Sequence, residues 1–376
     1  MIVLFWIAAL VAGYVYVGYP CLLAAWARVV DRRPRRRPFQ DDCWPSISIV
    51  VAARNEAARL PARVTNLLEQ VYPGRREIII VSDGSVDDPA SALASLLGPD
   101  VRLIEVPHGG KPLALNAGVA AARGEVIVFA DARQWFAAGA LTALVSNLSD
   151  PAVGGATGEL LLDCEHGGTH DTPVGEGIGL YWKYEKWLRR NESCVWSTLG
   201  ATGAIYALRR ECWTPLPATA LLDDVLAPMR AVLHGCRIVF DERAVAHDRA
   251  SADAAAEARR KKRTLAGNYQ ILVQEPRLLL PVVNPVWLQY LSHKVGRLLV
   301  PWALVALLVA SIQVAQRHPV YAAALAAQGV FYGAALAGAL FQQSERLARV
   351  AFTFVMMNVS AVTGLVALRR VREVWR

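Results

Sequence analysis

The feature that most restricts this chain lies at its start. Residues 2 to 30 are almost wholly apolar, with no charge before Arg28, and a run of that length crosses a hydrocarbon core of about 30 Å as one helix. Asp31-Arg32-Arg33-Pro34-Arg35-Arg36-Arg37-Pro38 follows at once. A cleaved leader carries its positive charge before the apolar run and small residues after it. The reversed order here is that of an anchor whose Arg-rich side faces the cytoplasm. Of the 376 residues 54% are hydrophobic and only 19% charged, which excludes disorder as the dominant state and is too apolar for an ordinary soluble domain. The net charge of +8 gathers beside apolar segments, so membrane lipids are the expected anionic partner and nucleic acid is not. Six cysteines (Cys21, Cys43, Cys164, Cys194, Cys212, Cys236) show no zinc or disulfide spacing and fit a reduced compartment.

From Ser46 to about Gln274 short β-branched runs alternate with stretches of helical length. Ile47–Ala53, Glu77–Val81, Val101–Val106 and Glu125–Ala130 read as buried parallel strands, with helices over Glu56–Gln70, Pro89–Leu97 and Pro112–Arg123. Such alternation implies a doubly wound α/β sheet whose ligands bind beyond the carboxyl ends of the strands. After Pro281 the chain is apolar again, with candidate spans at Leu298–Val314, Val320–Phe341 and Val350–Leu368. Trp287–Arg297 reads as an amphipathic interfacial helix. Three further crossings would place Arg369, Arg370, Arg372 and Arg376 outside, against the positive-inside rule. The expected count is therefore three or four spans, with Val350–Leu368 the segment in question. The organisation predicted is an anchor over 1–30, a basic linker over 31–45, a cytoplasmic domain over 46–275, an interfacial segment over 276–297 and a transmembrane region over 298–376.

The strand ends carry the chemistry. Asp83-Gly84 after the second strand can accept hydrogen bonds from a base or ribose, and is equally an ordinary turn. Lys111, before Pro112, puts a cation beside the free N–H groups of a helix start, which is either a diphosphate cradle or a solvated lysine. Asp131 ends the fourth strand, where a divalent cation could bridge protein and diphosphate. Asp223-Asp224 sets two carboxylates side by side before a helix; like charge and burial raise one pKa, which suits Asp224 as a general base and Asp223 as a structural residue. Arg259-Arg260-Lys261-Lys262-Arg263 is a solvated or membrane-facing run from which one Arg could reach a diphosphate. His166 and His170 flank glycines and read as a loop, and His247 reads as structural more than as a metal ligand. Tyr181, Trp182, Tyr184 and Trp187 suit a sugar or lipid acceptor, or plain packing.

Taken in order, Ala53-Arg54-Asn55-Glu56, Ser82-Asp83-Gly84-Ser85, Gly110-Lys111 through Asn116, Asp131, Thr202-Gly203-Ala204 through Arg210, Asp223-Asp224 and the basic stretch resemble family 2 glycosyltransferases. These are inverting enzymes of GT-A fold, and the likeness is strongest to the membrane branch that includes cellulose, chitin and hyaluronan synthases. Ser292-His293-Lys294 through Arg297 and Pro301 also looks like that branch. The resemblance implies a Rossmann-like GT-A domain with one N-terminal and two to three C-terminal transmembrane helices. It implies a nucleotide-sugar donor, UDP-linked, held by Arg54, Glu56, Asp83, Lys111, Asp131, Arg133 and Arg263. Asp224 would deprotonate the acceptor, with Gly203, Asp223 and Trp182 on the acceptor side. The cofactor implied is Mg²⁺ or Mn²⁺ at Asp131. Three positions depart from the pattern: Ser82 replaces an Asp, Arg133 replaces the second Asp of Asp-x-Asp, and Thr264 replaces the Trp after Arg263 that marks processive synthases. The function expected is sugar transfer to a glycan acceptor for a cell-surface polysaccharide at a bacterial inner membrane. Transfer of one sugar to a polyprenyl phosphate or other lipid is the second reading. A degenerate subunit serving a synthase or exporter partner is the third.

Overall fold

β-branched runs with no polar alternation belong to strands covered on both faces, and Ile47–Ala53 and Arg76–Asp83 behave so. In the computed structural model, which describes residues 1–34, 39, 43–163, 173–249, 254–341 and 346–368, Ile49, Val50, Val51, Ile78, Ile79, Ile80 and Val81 are all fully buried. Each such side chain contributes roughly 1.5–3 kcal/mol relative to exposure.

Helices α1 (Ile2–Gly13) and α2 (Tyr19–Val30) run on through a π-helical turn at Tyr14–Gly18. Then come β1 (Ile47–Ala53), α3 (Leu60–Leu68), β2 (Arg76–Asp83), α4 (Pro89–Leu93), β3 (Val101–Val106), α5 (Lys111–Ala121) and β4 (Val126–Asp131). The second half adds β5 (Trp135–Phe136), α6 (Ala140–Ser146), β6 (Val153–Asp163), α7 (Pro173–Val195), β7 (Ile205–Arg209), α8 (Asp223–Leu233), β8 (Arg237–Arg249) and α9 (Ala254–Gln274). Four more helices follow: α10 (Trp287–Gln289), α11 (Gly296–Val314), α12 (Pro319–Leu340) and α13 (Arg346–Leu368).

The strands form one sheet in the order β3-β2-β1-β4-β7-β6-β8-β5. The first four are parallel, as their sequence pattern predicts, and β7 then pairs antiparallel with β4. Register pairs Ala53 with Ser82 and Ala52 with Asp131, so the carboxyl ends of β1, β2 and β4 lie level. The sheet is thus mixed, the architecture of a Rossmann-like α/β domain with an added half in which β7 runs antiparallel to β4 and β6 while β6 and β8 pair in parallel.

Two sequence expectations shift for local reasons. The first helix begins at Leu60, not Glu56, because the preceding backbone is engaged elsewhere: Asn55 N donates to Ser85 Oγ at 3.1 Å and Ala57 N to Asp87 Oδ2 at 2.7 Å. Asn55 returns the contact by accepting from Val86 N at 3.0 Å, and its φ of 54° takes it out of the helical region. The cysteine reading is also corrected, since Cys212 and Cys236 form a disulfide. The return of the chain through α8 to β8 brings together two residues whose spacing of 24 carries no signature, and the scattered cysteines lose their force as an argument for a reduced compartment.

Among the described residues four helices are long and apolar enough to cross a membrane: Ile2–Val30, Trp287–Arg317, Pro319–Leu340 and Leu347–Val366. Trp287–Val295 continues directly into α11. Its polar residues Gln289, Ser292 and His293 are buried against protein, where an interfacial helix would turn them to water. The segment about which the charge rule raised a question, α13, packs on α12, α9 and α7. Gly364 allows that approach, since a Cβ there would stand 3.0 Å from Ala266 N and 3.1 Å from Leu265 Cβ.

Candidate active site

The site forms where strand ends meet the starts of α5 and α8. Asp83, the last residue of β2, is 4% exposed. Its carboxylate accepts from Gly109 N at 2.7 Å, from Gly110 N at 3.0 Å and contacts His108 Nδ1 at 3.0 Å. It therefore fastens the loop ahead of α5. Gly84 makes the approach possible: its φ is +60°, and a Cβ would stand 2.7 Å from His108 Cβ. His108 escaped sequence reasoning because it belongs to no motif.

That loop delivers Lys111 at the start of α5. Its ammonium lies 2.9 Å from Asp131 Oδ1 and 3.1 Å from Asp223 Oδ2, joining the tip of β4 to the first turn of α8. Burial works against the ammonium charge, but Asp131 and Asp223, with Asp224 behind them, outweigh it and hold its pKa above the usual lysine range. Lys111 is thus held by two carboxylates while its side chain stays 31% exposed. Beneath Asp131, the buried Arg63 donates from Nε to the Asp131 carbonyl at 3.0 Å and lies over the Phe136 ring at 4.4 Å. Burial lowers its pKa to about 9, with the Asp131 charge opposing. No sequence signal marked Arg63, which sits on the inner face of α3.

Asp223 does not cap α8 as its sequence position allowed. Leu222 holds the cap position with no side-chain bond, and Asp223 points to Lys111. Asp224 faces Gly203: a Cβ on that glycine would lie 3.2 Å from Asp224 Oδ2 and 3.4 Å from its Cβ. The Asp224 carbonyl accepts from Ala201 N at 2.7 Å, which fixes the start of α8 on the Gly200–Gly203 loop. Burial, then the Asp223 charge and that of Asp131, raise the Asp224 carboxyl above its ordinary range, with Lys111 and Arg189 opposing. Arg189 Nη1 donates to Thr202 Oγ1 at 3.0 Å on the same loop. The Tyr206 hydroxyl is buried with no partner among the described residues, and burial plus the three carboxylates keep it protonated.

The remaining sequence candidates separate. Arg133 leaves this group and pairs with the buried Asp248 of β8, which also accepts from Gln134 Nε2 at 2.9 Å. Arg54 is exposed past the end of β1, and Glu56 pairs with Arg59. Arg263 is exposed on α9; the side chains of 259–262 lie outside the described residues, as do His166 and His170. Trp182 and Trp187 are exposed on α7, whereas Tyr184 donates to the Tyr16 carbonyl at 3.3 Å. His247 stacks on Trp135, the structural role.

Among the described residues no three or more His, Cys, Asp or Glu converge as a metal sphere. Asp131 Oδ1 is taken by Lys111, while Oδ2 accepts no hydrogen bond from a described residue and the side chain is 32% exposed. The donor set fits a divalent cation held by one protein carboxylate oxygen and otherwise by oxygens of a ligand.

Residues 48–211 match the model of glycosyl transferase family 2. An N-acetylglucosaminyltransferase of Bradyrhizobium elkanii is 29% identical over 31% of this chain and 67% of its own length. One from Rhizobium leguminosarum bv. trifolii is 29% identical over 36% of this chain and 77% of its own. Another, from Mesorhizobium japonicum, is matched over only 30% of its length. In fold, the chain is similar to a mannosyltransferase from Pyrobaculum calidifontis solved with GDP-Man and Mn²⁺: TM-score 0.69, 24% identity, 97% of this chain and 99% of that one. Residues 48–211 thus match glycosyl transferase family 2, and the chain shares the GT-A fold of that mannosyltransferase.

Proposed function

We propose that this chain is a membrane-bound inverting transferase that moves a sugar from a UDP-linked donor to an acceptor hydroxyl, at the cytoplasmic face of a bacterial inner membrane, in assembly of a cell-surface glycan. The observation that carries this reading is the raised carboxyl of Asp224 against Gly203, next to the Lys111–Asp131–Asp223 group. A carboxylate made more basic by burial and like charge is a fitting general base.

In this reading the donor's base lies on the loop fastened by Asp83, and its diphosphate lies by Lys111 at the tip of β4. Asp224 accepts the proton of the acceptor hydroxyl as that oxygen attacks the anomeric carbon from the face opposite the diphosphate. The new C–O bond forms while the bond from anomeric carbon to phosphate oxygen breaks, and the nucleoside diphosphate leaves with both electrons. Lys111 meets the charge that develops there. A divalent cation held through Asp131 would add neutralisation of the same leaving group. Arg133, exposed at the rim, supplies positive charge where the family pattern has a second carboxylate.

The test is nucleoside diphosphate release from a panel of UDP- and GDP-sugars by the full chain in lipid nanodiscs with membrane lipid extract, with and without Mg²⁺ or Mn²⁺. Loss of a general base costs about 10²- to 10⁴-fold, so Asp224→Asn should retain under one hundredth of wild-type release. Asn is isosteric, so an Asp224→Asn protein that keeps its melting temperature and its rate would refute the assignment of the base, whereas no release from any donor by the wild type despite nucleotide-sugar binding would favour a donor-binding subunit.

A further inference from the structure

Buried charge outside the site gathers where the chain entering α11 meets α7. Glu185, Arg189 and Glu192 lie on one face of α7. Glu185 Oε2 accepts from Arg297 Nη1 at 2.6 Å, and Glu185 Oε1 lies 3.3 Å from His293 Nε2. The other ring nitrogen of His293, Nδ1, lies 2.6 Å from Glu192 Oε1, which also accepts from the Tyr19 hydroxyl of α2 at 2.9 Å. Glu185, Glu192 and His293 are all buried. Desolvating these groups is costly, and apolar packing would hold the same helices as firmly. What charged partners add is one defined position of α7 against α2 and the entry to α11.

That position reaches the site through Arg189. Its Nε lies 3.9 Å from Glu185 Oε1, one turn earlier on α7, and its Nη1 donates to Thr202 Oγ1 at 3.0 Å. Two edges of one planar guanidinium are therefore held at once. Thr202 in turn donates from Oγ1 to the Gly158 carbonyl and from its amide to Thr157 Oγ1, each at 2.8 Å and both on β6. It stands between the two loop residues that meet Asp224. Ala201 N donates to the Asp224 carbonyl at 2.7 Å, and Gly203 faces the Asp224 carboxylate. A shift of Thr202 moves both contacts.

We propose that Arg189 is a positioning residue for Asp224, and that Arg297 and His293, where the chain enters an apolar stretch long enough to span a membrane, set Arg189 through Glu185. The seating of α11 against α7 thereby governs the 200–203 loop that flanks Asp224. The effect on rate rests on Asp224 as the base, whereas the hold of α11 on the loop does not.

The test uses the full chain in lipid nanodiscs with two readouts: hydrogen exchange of residues 198–204 against residues 76–83 of β2, and kcat with donor KM for nucleoside diphosphate release. Arg189→Gln and Arg297→Gln should speed exchange of 198–204 about tenfold, because the amides of Ala201 and Thr202 are hydrogen-bonded while the loop is seated, and should leave 76–83 unchanged. In both variants kcat should fall about tenfold with donor KM within about twofold of wild type, the mark of a misplaced base beside an intact donor site. Arg297→Lys keeps a cation on Glu185 and should restore both readouts. Thr202→Val keeps the side-chain shape without the hydroxyl and should lose as much kcat as Arg189→Gln, the double variant losing under about twofold more. Unchanged exchange in the loop, an equal rise in 76–83 in both glutamine variants, a higher donor KM in place of a lower kcat, or losses that multiply in the double variant would overturn the proposal. Asp224→Asn separates the two readings: it should lose release and leave exchange of 198–204 as in wild type. An Asp224→Asn protein that keeps its rate would sink the base assignment, while faster loop exchange in Arg297→Gln would still establish the hold of α11 on the loop.

Discussion

Lys111→Met tests the centre of the site most directly. The substitution keeps most of the unbranched side chain and deletes the charge that separates Asp131 from Asp223, with contacts of 2.9 and 3.1 Å. At an effective dielectric of about 20 each contact is roughly 5 kcal/mol before desolvation, and removing one partner of a buried pair costs about 3–5 kcal/mol net. Lys111 and Asp131 are 31% and 32% exposed, so the lower end, about 3 kcal/mol, applies. With about 2–4 °C per kcal/mol for a domain of this size, the melting temperature should fall by about 6–12 °C at pH 7. The sign with pH is fixed. In the variant the two carboxylates repel only while ionised, so protonating one at acid pH relieves the penalty, and the gap to wild type narrows as pH falls from 7 towards 4. Differential scanning fluorimetry across that range reads both. A fall below 2 °C at pH 7, or a gap that widens towards acid, would refute the view that Lys111 neutralises this pair.

Three further outcomes follow from the same geometry. The acid limb of the rate–pH profile should lie above the ordinary Asp range, because burial and Asp223 raise Asp224 and only its ionised form accepts a proton; a rate undiminished down to pH 4 would contradict this. Asp83→Ala removes the acceptor for Gly109 N, Gly110 N and His108, and at about 1.5–3 kcal/mol per charged hydrogen bond should raise the donor KM more than tenfold, measured by titrating the nucleotide sugar. Gly203→Ala sets a methyl 3.2 Å from Asp224 Oδ2; a small misplacement of the base should lower kcat about tenfold while the melting temperature shifts by under 2 °C, and an unchanged kcat would detach Gly203 from the base.

The legible part of this molecule was its local order. Ile47–Ala53 stands where its apolar run puts it, because a strand buried on both faces writes its own signature, and Val101–Val106 keeps its predicted bounds as a half-buried edge strand. The start of α3 was not legible, since Asn55 and Ala57 give their N–H groups to residues thirty positions on. The same limit governs the site. Lys111, Asp131 and the acidic pair stood out by type and place in the chain, yet which of them meet is a matter of sheet order: β4 lies between β1 and β7, and only that packing brings α8 over the tip of β4. Arg63 and Arg189 carried no pattern at all, because their roles come from neighbours on other elements.

The charges so assembled bear on Arg133. Asp131, Asp223 and Asp224 are opposed by Lys111, Arg63 and Arg189, three of each sign. The ring balances before any donor arrives, and a diphosphate then brings at least two further negative charges. Within the ring Lys111 meets them while it is already shared by two carboxylates, and Arg63 lies beneath the Asp131 backbone. A second carboxylate in place of Arg133 would deepen the deficit unless a metal ion came with it. Arg133 does the reverse: its guanidinium is 43% exposed while one edge is held by Asp248, so it can turn its other edge to a phosphate at little ordering cost. Under the proposed function, the position that looks like the loss of a metal ligand in sequence would shift part of the neutralising charge from a bound ion to the protein itself.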